Sequence, residues 1–460
     1  SERRAPSTTR NGLPPGRPFA FFAHAFGTSL AAGRCPPMTS VSEALTPPRT
    51  SRSVSVKALG GLNFFLADVR DGLGPFLGIF LLGQGWAADE IGLVMTVGGL
   101  AGMVAATPLG ALADATRAKR ALIAACAIGV IVASLALLAM PTLTVTVASQ
   151  VITGLAGAAI GPALAALTLG LVGQNGLPHQ LGQNEAFNHA GNFCAALLAG
   201  WLGWMFGVSA VFWLMAVMAA GSLVALACVR PGDIDHDVAR GMEPGDAAQG
   251  HVPPGIRVLL RSVPLLILGA TLLLFHLGNA AMLPLLGQAI AAQGEVDPSA
   301  YTAATVMVAQ LTMIPMALLA ARLARTHGYG IVFVAALVAL PIRGLIAGLW
   351  PSPYALLPVQ ILDGVGAGLL GVATPGLAAR ILRGSGHVNA GIGGVMTLQG
   401  VGAALSPGLA GLVAAHLGYP TAFLTLAAAA GVALVVWLAG ARLIGAAALG
   451  QETGREDTAR

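Results

Sequence analysis

Ala199-Gly-Trp-Leu-Gly-Trp-Met-Phe-Gly207-Val-Ser-Ala-Val-Phe212 and Ala410-Gly-Leu-Val-Ala-Ala-His-Leu-Gly418-Tyr-Pro-Thr-Ala-Phe423 decide how this chain is read. Ala199, Gly200, Gly207 and Phe212 recur as Ala410, Gly411, Gly418 and Phe423, each pair 211 positions apart. Upstream, Gln150, Gly154 and Gly161 recur as Gln360, Gly364 and Gly371, 210 positions apart. The chain therefore holds two copies of one unit. Both copies are too apolar for water: 56 % of the 460 residues are hydrophobic and 9 % charged, against about 25 % charged in a soluble domain. The 62 glycines suit the close helix contacts that lipid favours. Strand-like alternation is absent, which argues against a β-barrel.

The apolar runs are long enough to span a bilayer, for which about 20 residues are needed. They predict an all-α integral membrane protein with twelve transmembrane helices in two pseudo-symmetric six-helix bundles. The expected spans are 58–82, 91–113, 121–140, 144–172, 185–206, 208–229, 264–290, 301–322, 331–350, 354–379, 391–416 and 420–441. Residues 1–57 read as a disordered cytoplasmic tail rich in Arg, Pro, Ser and Thr, with translation expected to start at Met38. Residues 58–229 form the first bundle and 264–441 the second. Between them 230–263, with Pro231, five acidic residues and Pro253-Pro254, read as a cytoplasmic linker, and 442–460 as a cytoplasmic tail.

Of the 24 Lys and Arg, 22 fall in the tails or the even-numbered connections, among them Arg117, Lys119, Arg120, Arg322, Arg325, Arg380 and Arg383. The odd-numbered connections carry Asp89, Glu90, Glu295 and Asp297 instead. By the positive-inside rule both termini face the cytoplasm of a cell (inner) membrane. The net charge of +5 is thus a topology signal and not a nucleic-acid footprint, since no basic patch or binding fold accompanies it. Cys35, Cys126, Cys194 and Cys228 show no disulfide or metal spacing. Neither H-E-x-x-H nor a suitably placed G-x-S-x-G is present, so the chain reads as no enzyme, with no cofactor and no metal.

Polar residues inside apolar spans mark pathways. Span 1 holds Asn63, Asp68, Arg70 and Asp71 near mid-membrane. Each charge facing lipid there would cost roughly 2.5–3.5 kcal/mol, so the charges must face protein or water. They form either a substrate or proton site or a buried ion-pair network. Gly72, Gly74 and Pro75 then interrupt the helix, which frees backbone groups. Glu185, Asn188, His189 and Asn192 make a polar stripe entering span 5, either a cavity wall or a solvated helix start. His189 and Glu185 lie one turn apart, a spacing suited to a proton relay. His276 and Asn279 share a face of span 7. In span 10, Gln360 and Asp363 precede Gly364, Gly366 and Gly368, and Asp363 stands where the first copy has Thr153. A carboxyl group set in an apolar helix is suited to proton exchange; the alternative is a helix-packing hydrogen bond. Arg343, near the outer end of span 9, is expected to snorkel.

Gly110-Ala-Leu-Ala-Asp114, followed by Arg117, Lys119 and Arg120, resembles the G-x-L-x-D-R-x-G-R-R loop between the second and third helices of the major facilitator superfamily, departing at Ala115 and Arg117. Asp71-Gly-Leu-Gly-Pro75-Phe-Leu77 resembles that family's first helix, and Leu405-Ser-Pro407-Gly-Leu-Ala-Gly411 its eleventh. Gln150 stands where many members carry the arginine of R-x-x-Q-G, and 191–200 lacks the proline of the antiporter motif. The resemblance implies a secondary transporter working by alternating access between two rocking halves, with spans 1 and 7 on the cavity. It implies gating by Gly110, Asp114, Arg117, Lys119 and Arg120, with Arg325 as the repeat-mate of Asp114. The expected partners are a small-molecule substrate, protons as coupling ion and the lipid bilayer, and the protein is expected to be a monomer. Acids outnumber bases in the spans, which favours a cationic or neutral solute. Export, facilitative uniport and a receptor that kept a transporter fold stay open.

Overall fold

The computed structural model describes residues 49–71, 73–236, 238–240, 260–382 and 388–445. The Met38 start, most of the tails and most of the linker lie outside the described residues, as do the side chains of Asp71 and Asp114. The described regular structure is helical: α1 (Arg49–Asp71), α2 (Gly74–Gly83), α3 (Ala88–Ala115), α4 (Lys119–Ala139), α5 (Leu143–Phe206), α6 (Ser209–Cys228), α7 (Val263–Asn279), α8 (Met282–Gln293), α9 (Pro298–Thr326), α10 (Tyr329–Leu349), α11 (Leu356–Ile381), α12 (Val388–Leu417) and α13 (Tyr419–Ile444). Short 3-10 turns follow α6 and precede α11.

Local chemistry sets several starts. Asp297 Oδ1 accepts from Ala300 N at 2.8 Å ahead of Pro298, and Thr142 and Ser262 cap α5 and α7 in the same way. Gly207 and Gly418, the repeat-mates, adopt φ 82° and φ 84° within two residues of the starts of α6 and α13. Only glycine takes that backbone without strain, so the duplicated glycine marks a duplicated corner.

Ten helical stretches among the described residues are long and apolar enough to cross a membrane. The two expected spans outside this set, 58–82 and 185–206, carry clustered polar residues, Asp68 to Asp71 in one and Glu185 to Asn192 in the other. In the first, the charged run ends α1 at Asp71 and α2 restarts at Gly74. The second is the far part of α5, which runs on from the previous span across a break at Gly173 (φ 72°, ψ 174°) and so starts well before residue 185.

Apolar burial separates into two cores. One draws on residues 59–234 and the other on residues 265–444, and each takes in one alanine of the opposite half, Ala303 and Ala88 respectively. The contacts that join helices repeat with the sequence. A β-carbon on Gly154 would collide with the Gly98 carbonyl oxygen, and one on Gly364 would meet the carbonyl oxygen of Ala309, the repeat-mate of Gly98. Between the halves, Gly200 presses on Ala303 and Gly411 on Gly92 and the Ala88 carbonyl. Ala303 and Gly92 are again repeat-mates. The same two-fold relation therefore governs packing within each half and across the seam. Without a hydrophobic force between helices in lipid, such backbone approach is what holds them.

Gly154→Leu and Gly364→Leu are expected to destabilise by similar amounts, about 1–3 kcal/mol each, because they fill equivalent crossings. Thermal unfolding of the two variants in detergent measures this, and a large difference between them would contradict the equivalence.

Candidate functional site

The halves meet along two long seams and where α2 packs on α8. On one, α5 packs on α9; on the other, α3 packs on α12. Contacts near the end bearing Asp89, Glu90, Glu295 and Asp297 are close: Gly92 and Gly411 touch backbone to backbone, Gly203 abuts Ser299, and Gly78 abuts Gln288. Thr96 Oγ1 accepts from Gly408 N at 2.8 Å across the seam. This acidic end is sealed.

Farther along α3 and α12 the seam opens into a cavity of about 710 Å3. Its walls are Gly98, Gly99 and Gly102 of α3, Gly154 and Gly157 of α5, and Gly393 and Gly400 of α12. Met95, Met103 and Met396 also line it, with Arg70, Thr107, Gln150, Thr153 and Thr397 as the polar side chains on the wall. The volume lies in the range of small-molecule sites. Thioethers adapt to varied apolar shapes.

The repeat explains why the cavity opens on this seam. On the α5–α9 seam, His189 Nδ1 and Gln310 Oε1 are 2.9 Å apart, a hydrogen bond that joins the halves. The repeat-mates of His189 and Gln310 are Gly400 and Gly99. One seam is filled by a polar bridge, and its counterpart has no side chains there.

A second polar centre lies inside the later half. Arg343 of α10 is 0 % exposed. Its Nη1 donates to Asp363 Oδ1 of α11 at 2.8 Å and to Asn279 Oδ1 at the end of α7. Its Nε and Nη2 have no partner among the described residues, nor do the amide atoms of Gln360, one turn before Asp363. The expectation that Arg343 snorkels is thus corrected: its side chain turns inward because Asp363 and Asn279 supply the countercharge and acceptor that lipid cannot. A lone arginine in an apolar span is by itself a pathway signal, and that signal was sufficient to find it. Gln310, mid-way along α9, is the other polar residue that sequence reasoning missed.

The structure brings Arg70 and Gln150 together in the cavity and Asn279 and Asp363 together around Arg343. It does not bring the other candidates to either place. Asn63 is buried, its Nδ2 donating to Leu59 O at 2.8 Å. Asp68 is half-buried and engaged. Glu185 is exposed and accepts from Asn188 at 3.5 Å, and Asn192 is half-buried one turn beyond. His276 Nδ1 bonds back to Leu272 O at 2.9 Å, with its ring edge-on to Phe275. Gln360 is fully buried, unlike its mate Gln150 on the cavity wall.

Of the expected gate, Gly110 sits half-buried near the end of α3. Lys119 is buried, its Nζ donating to Ala113 O at 2.7 Å and Thr116 O at 3.0 Å. Arg120 donates from Nε and Nη2 to Leu226 O at 3.3 and 3.1 Å. Both thus satisfy carbonyls at helix ends of the first half. Arg117 and Arg325 are exposed.

Two helical halves with membrane-spanning stretches and a ligand-sized cavity on their seam define a multi-pass membrane transporter. The sequence model described as Major Facilitator Superfamily matches residues 59–342 and 268–454, and the chain belongs to that family. Two relatives from Mycobacterium tuberculosis (strains CDC 1551 / Oshkosh and H37Rv), each described as an uncharacterized MFS-type transporter, are 42 % identical over 393 residues, 85 % of this chain and 93 % of theirs. The fold is similar to that of a variant of the nucleoside transporter NupG, with a TM-score of 0.72 at 14 % identity, covering 84 % of this chain and 99 % of that one. It is also similar to a bacterial homolog of the human lysosomal transporter Spinster in an inward-facing conformation, with a TM-score of 0.63 at 14 % identity, covering 87 % and 98 %. No enzyme is implied by this family.

Removing one member of a buried ion pair strands the other charge, at a cost of about 3–5 kcal/mol. Arg343→Met and Asp363→Leu are each expected to lower thermal stability in detergent sharply. The double variant should recover most of the loss, and no recovery would show that the pair is not the dominant interaction of either residue.

Proposed function

We propose that the protein is a secondary active transporter of a small, partly apolar solute, working by alternating access and driven by the proton gradient. The observation that carries this reading is the cavity lined by glycine and methionine between two halves that are sealed at one end only. In this reading α1 with α2, and the far part of α5, also cross the membrane, making twelve spans in two six-helix bundles. Residues 58–229 rock against 264–441, joined by the linker 230–263. In this reading, which the basic connections support, both termini lie on the cytoplasmic side of the cell membrane, the acidic seal faces outward and the cavity opens inward. The protein acts as a monomer.

Arg70 is the charged side chain on the cavity wall among the described residues. That shifts the preference from a cationic solute toward a neutral or anionic one, with Gln150 and Thr153 orienting polar groups. Asp68, Asp71, Asp363 and His189 are the proton-exchange candidates. His189 is held by Gln310 of the opposite half. The bridge also spans the seam that must shear when the halves rock. Facilitative uniport is the second reading, favoured by the engagement of Asp363 with Arg343, which removes one carboxylate from free exchange.

Flux into proteoliposomes with and without an imposed pH gradient, screened against solute pools, separates these readings. Proton-coupled transport predicts accumulation only with the gradient; gradient-independent equilibration would replace it with uniport. Gly400→Leu supplies the site test. A β-carbon at Gly400 has room, its nearest neighbour being Met103 Cγ at 3.9 Å, so the variant should fold normally and fill the cavity. Flux should fall to background at unchanged thermal stability, and normal flux in that variant would remove the cavity from the pathway.

A further inference from the structure

On the outer flank of the first half, away from the seam, α4 and α6 part at the basic end around a groove of about 450 Å3. Its upper rim is basic: Arg117, Arg120 and His236 line it, together with Pro231 and Ile234 of the turn after α6. Arg117 is exposed and unpartnered among the described residues. Arg120 lines the groove while donating from Nε and Nη2 to Leu226 O. His236 Nδ1 is buried without a partner. The acids nearby are committed: Asp233 is buried and accepts from Ser55 Oγ at 2.6 Å, and Asp235 Oδ1 accepts from Val238 N at 3.0 Å. Arg117, Arg120 and His236 thus line one groove, and among the described residues the protein acceptor they engage there is Leu226 O.

Below the rim the groove is apolar, walled by Ala121 and Ala124 of α4 and by Leu223 and Ala227 of α6. Each wall continues along its helix as an exposed apolar rail. On α4 the rail is Ile128 (48 % exposed) and Val132 (61 %); on α6 it is Val224 (66 %) and Val217 (66 %). Residues three and four apart share a helix face, so both rails run from the groove into the bilayer. An unsatisfied cationic rim above two hydrocarbon tracks matches a molecule with a phosphate at one end and paired acyl chains below. A free phosphate would use the rim and leave the rails without purpose.

We propose that this groove binds the headgroup of an acidic phospholipid, its phosphate held by Arg117, Arg120 and His236 and its chains lying along the rails of α4 and α6. The lipid also contacts Pro231 and Ile234, and so ties the start of the linker to the first half. The site is independent of the transport reading and needs only that the chain be embedded in a membrane.

Native mass spectrometry of the full-length protein in neutral detergent tests it, with phosphatidylglycerol, phosphatidylcholine of the same chains and inorganic phosphate as separate probes. Wild type should retain one phosphatidylglycerol in preference to phosphatidylcholine. Each basic residue near an anionic surface contributes roughly fivefold in affinity, so Arg117→Gln should weaken retention by about that factor and Arg117→Gln with His236→Gln by more. Ala124→Trp, which fills the groove and keeps every charge, should abolish preferential retention even if the charge variants fold poorly. Equal retention of phosphatidylglycerol by wild type and Ala124→Trp overturns the proposal. So does equal retention of the two lipids by wild type, or inorganic phosphate displacing the lipid at equal concentration.

Discussion

Two backbones inside a membrane can touch only where no side chain stands between them, and that constraint shapes this molecule. Gly92 against Gly411 and Gly200 against Ala303 seal the acidic end of the seam, and Gly154 against Gly98 sets the crossing inside the first half. None of these contacts gains from expelling water, because lipid is as apolar as the side chains. Their strength lies in close dispersion contact, which falls off steeply as the surfaces part. A seam held in this way is tight when shut and leaves no stranded polar groups when it opens, which suits a pair of halves that must separate at one end and then at the other.

Duplication supplied the frame and divergence supplied the chemistry. Equivalent positions carry Gly99 and Gln310, Gly400 and His189, Thr153 and Asp363, Val132 and Arg343. In each pair one copy carries the smaller or less polar side chain. The polar members fill the α5–α9 seam and the interior of the later half, while the small members empty the α3–α12 seam. A symmetric protein would have two equal crevices or none. The departures from symmetry place the roomy cavity on one seam and, among the described residues, a buried charge pair in one half.

Much of the fold was legible because lipid imposes it. Long apolar runs, basic connections and a repeated spacing read directly as helices, sidedness and duplication, and the family resemblance rested on three short stretches. The two spans hardest to read, 58–82 and 185–206, are those whose polar residues shorten the apolar run, so the feature that marks function also weakens the span signal. The site was legible only in part. Arg70 and Gln150 were identified and do line the cavity, and Asn279 and Asp363 were identified as important without their partner. Asn63 and His276 satisfy themselves on their own helices through carbonyls one turn back, which no sequence pattern distinguishes from a side chain facing a ligand. Glycines 99 and 400 carried no signal of their own in the sequence, yet both line the cavity.

The amino-acid order alone determined that the chain lives in a membrane, that it is helical, and that it is built twice over, because these follow from hydropathy, backbone hydrogen bonding in lipid and periodicity within single segments. Only the tertiary structure decided that Arg343 turns inward to Asp363, that His189 reaches across to Gln310, and that the open seam is the glycine-lined one. Each of those facts depends on the rotation and crossing of helices more than ten residues apart in sequence. Contacts made across segments, and not the residues of any one segment, set them.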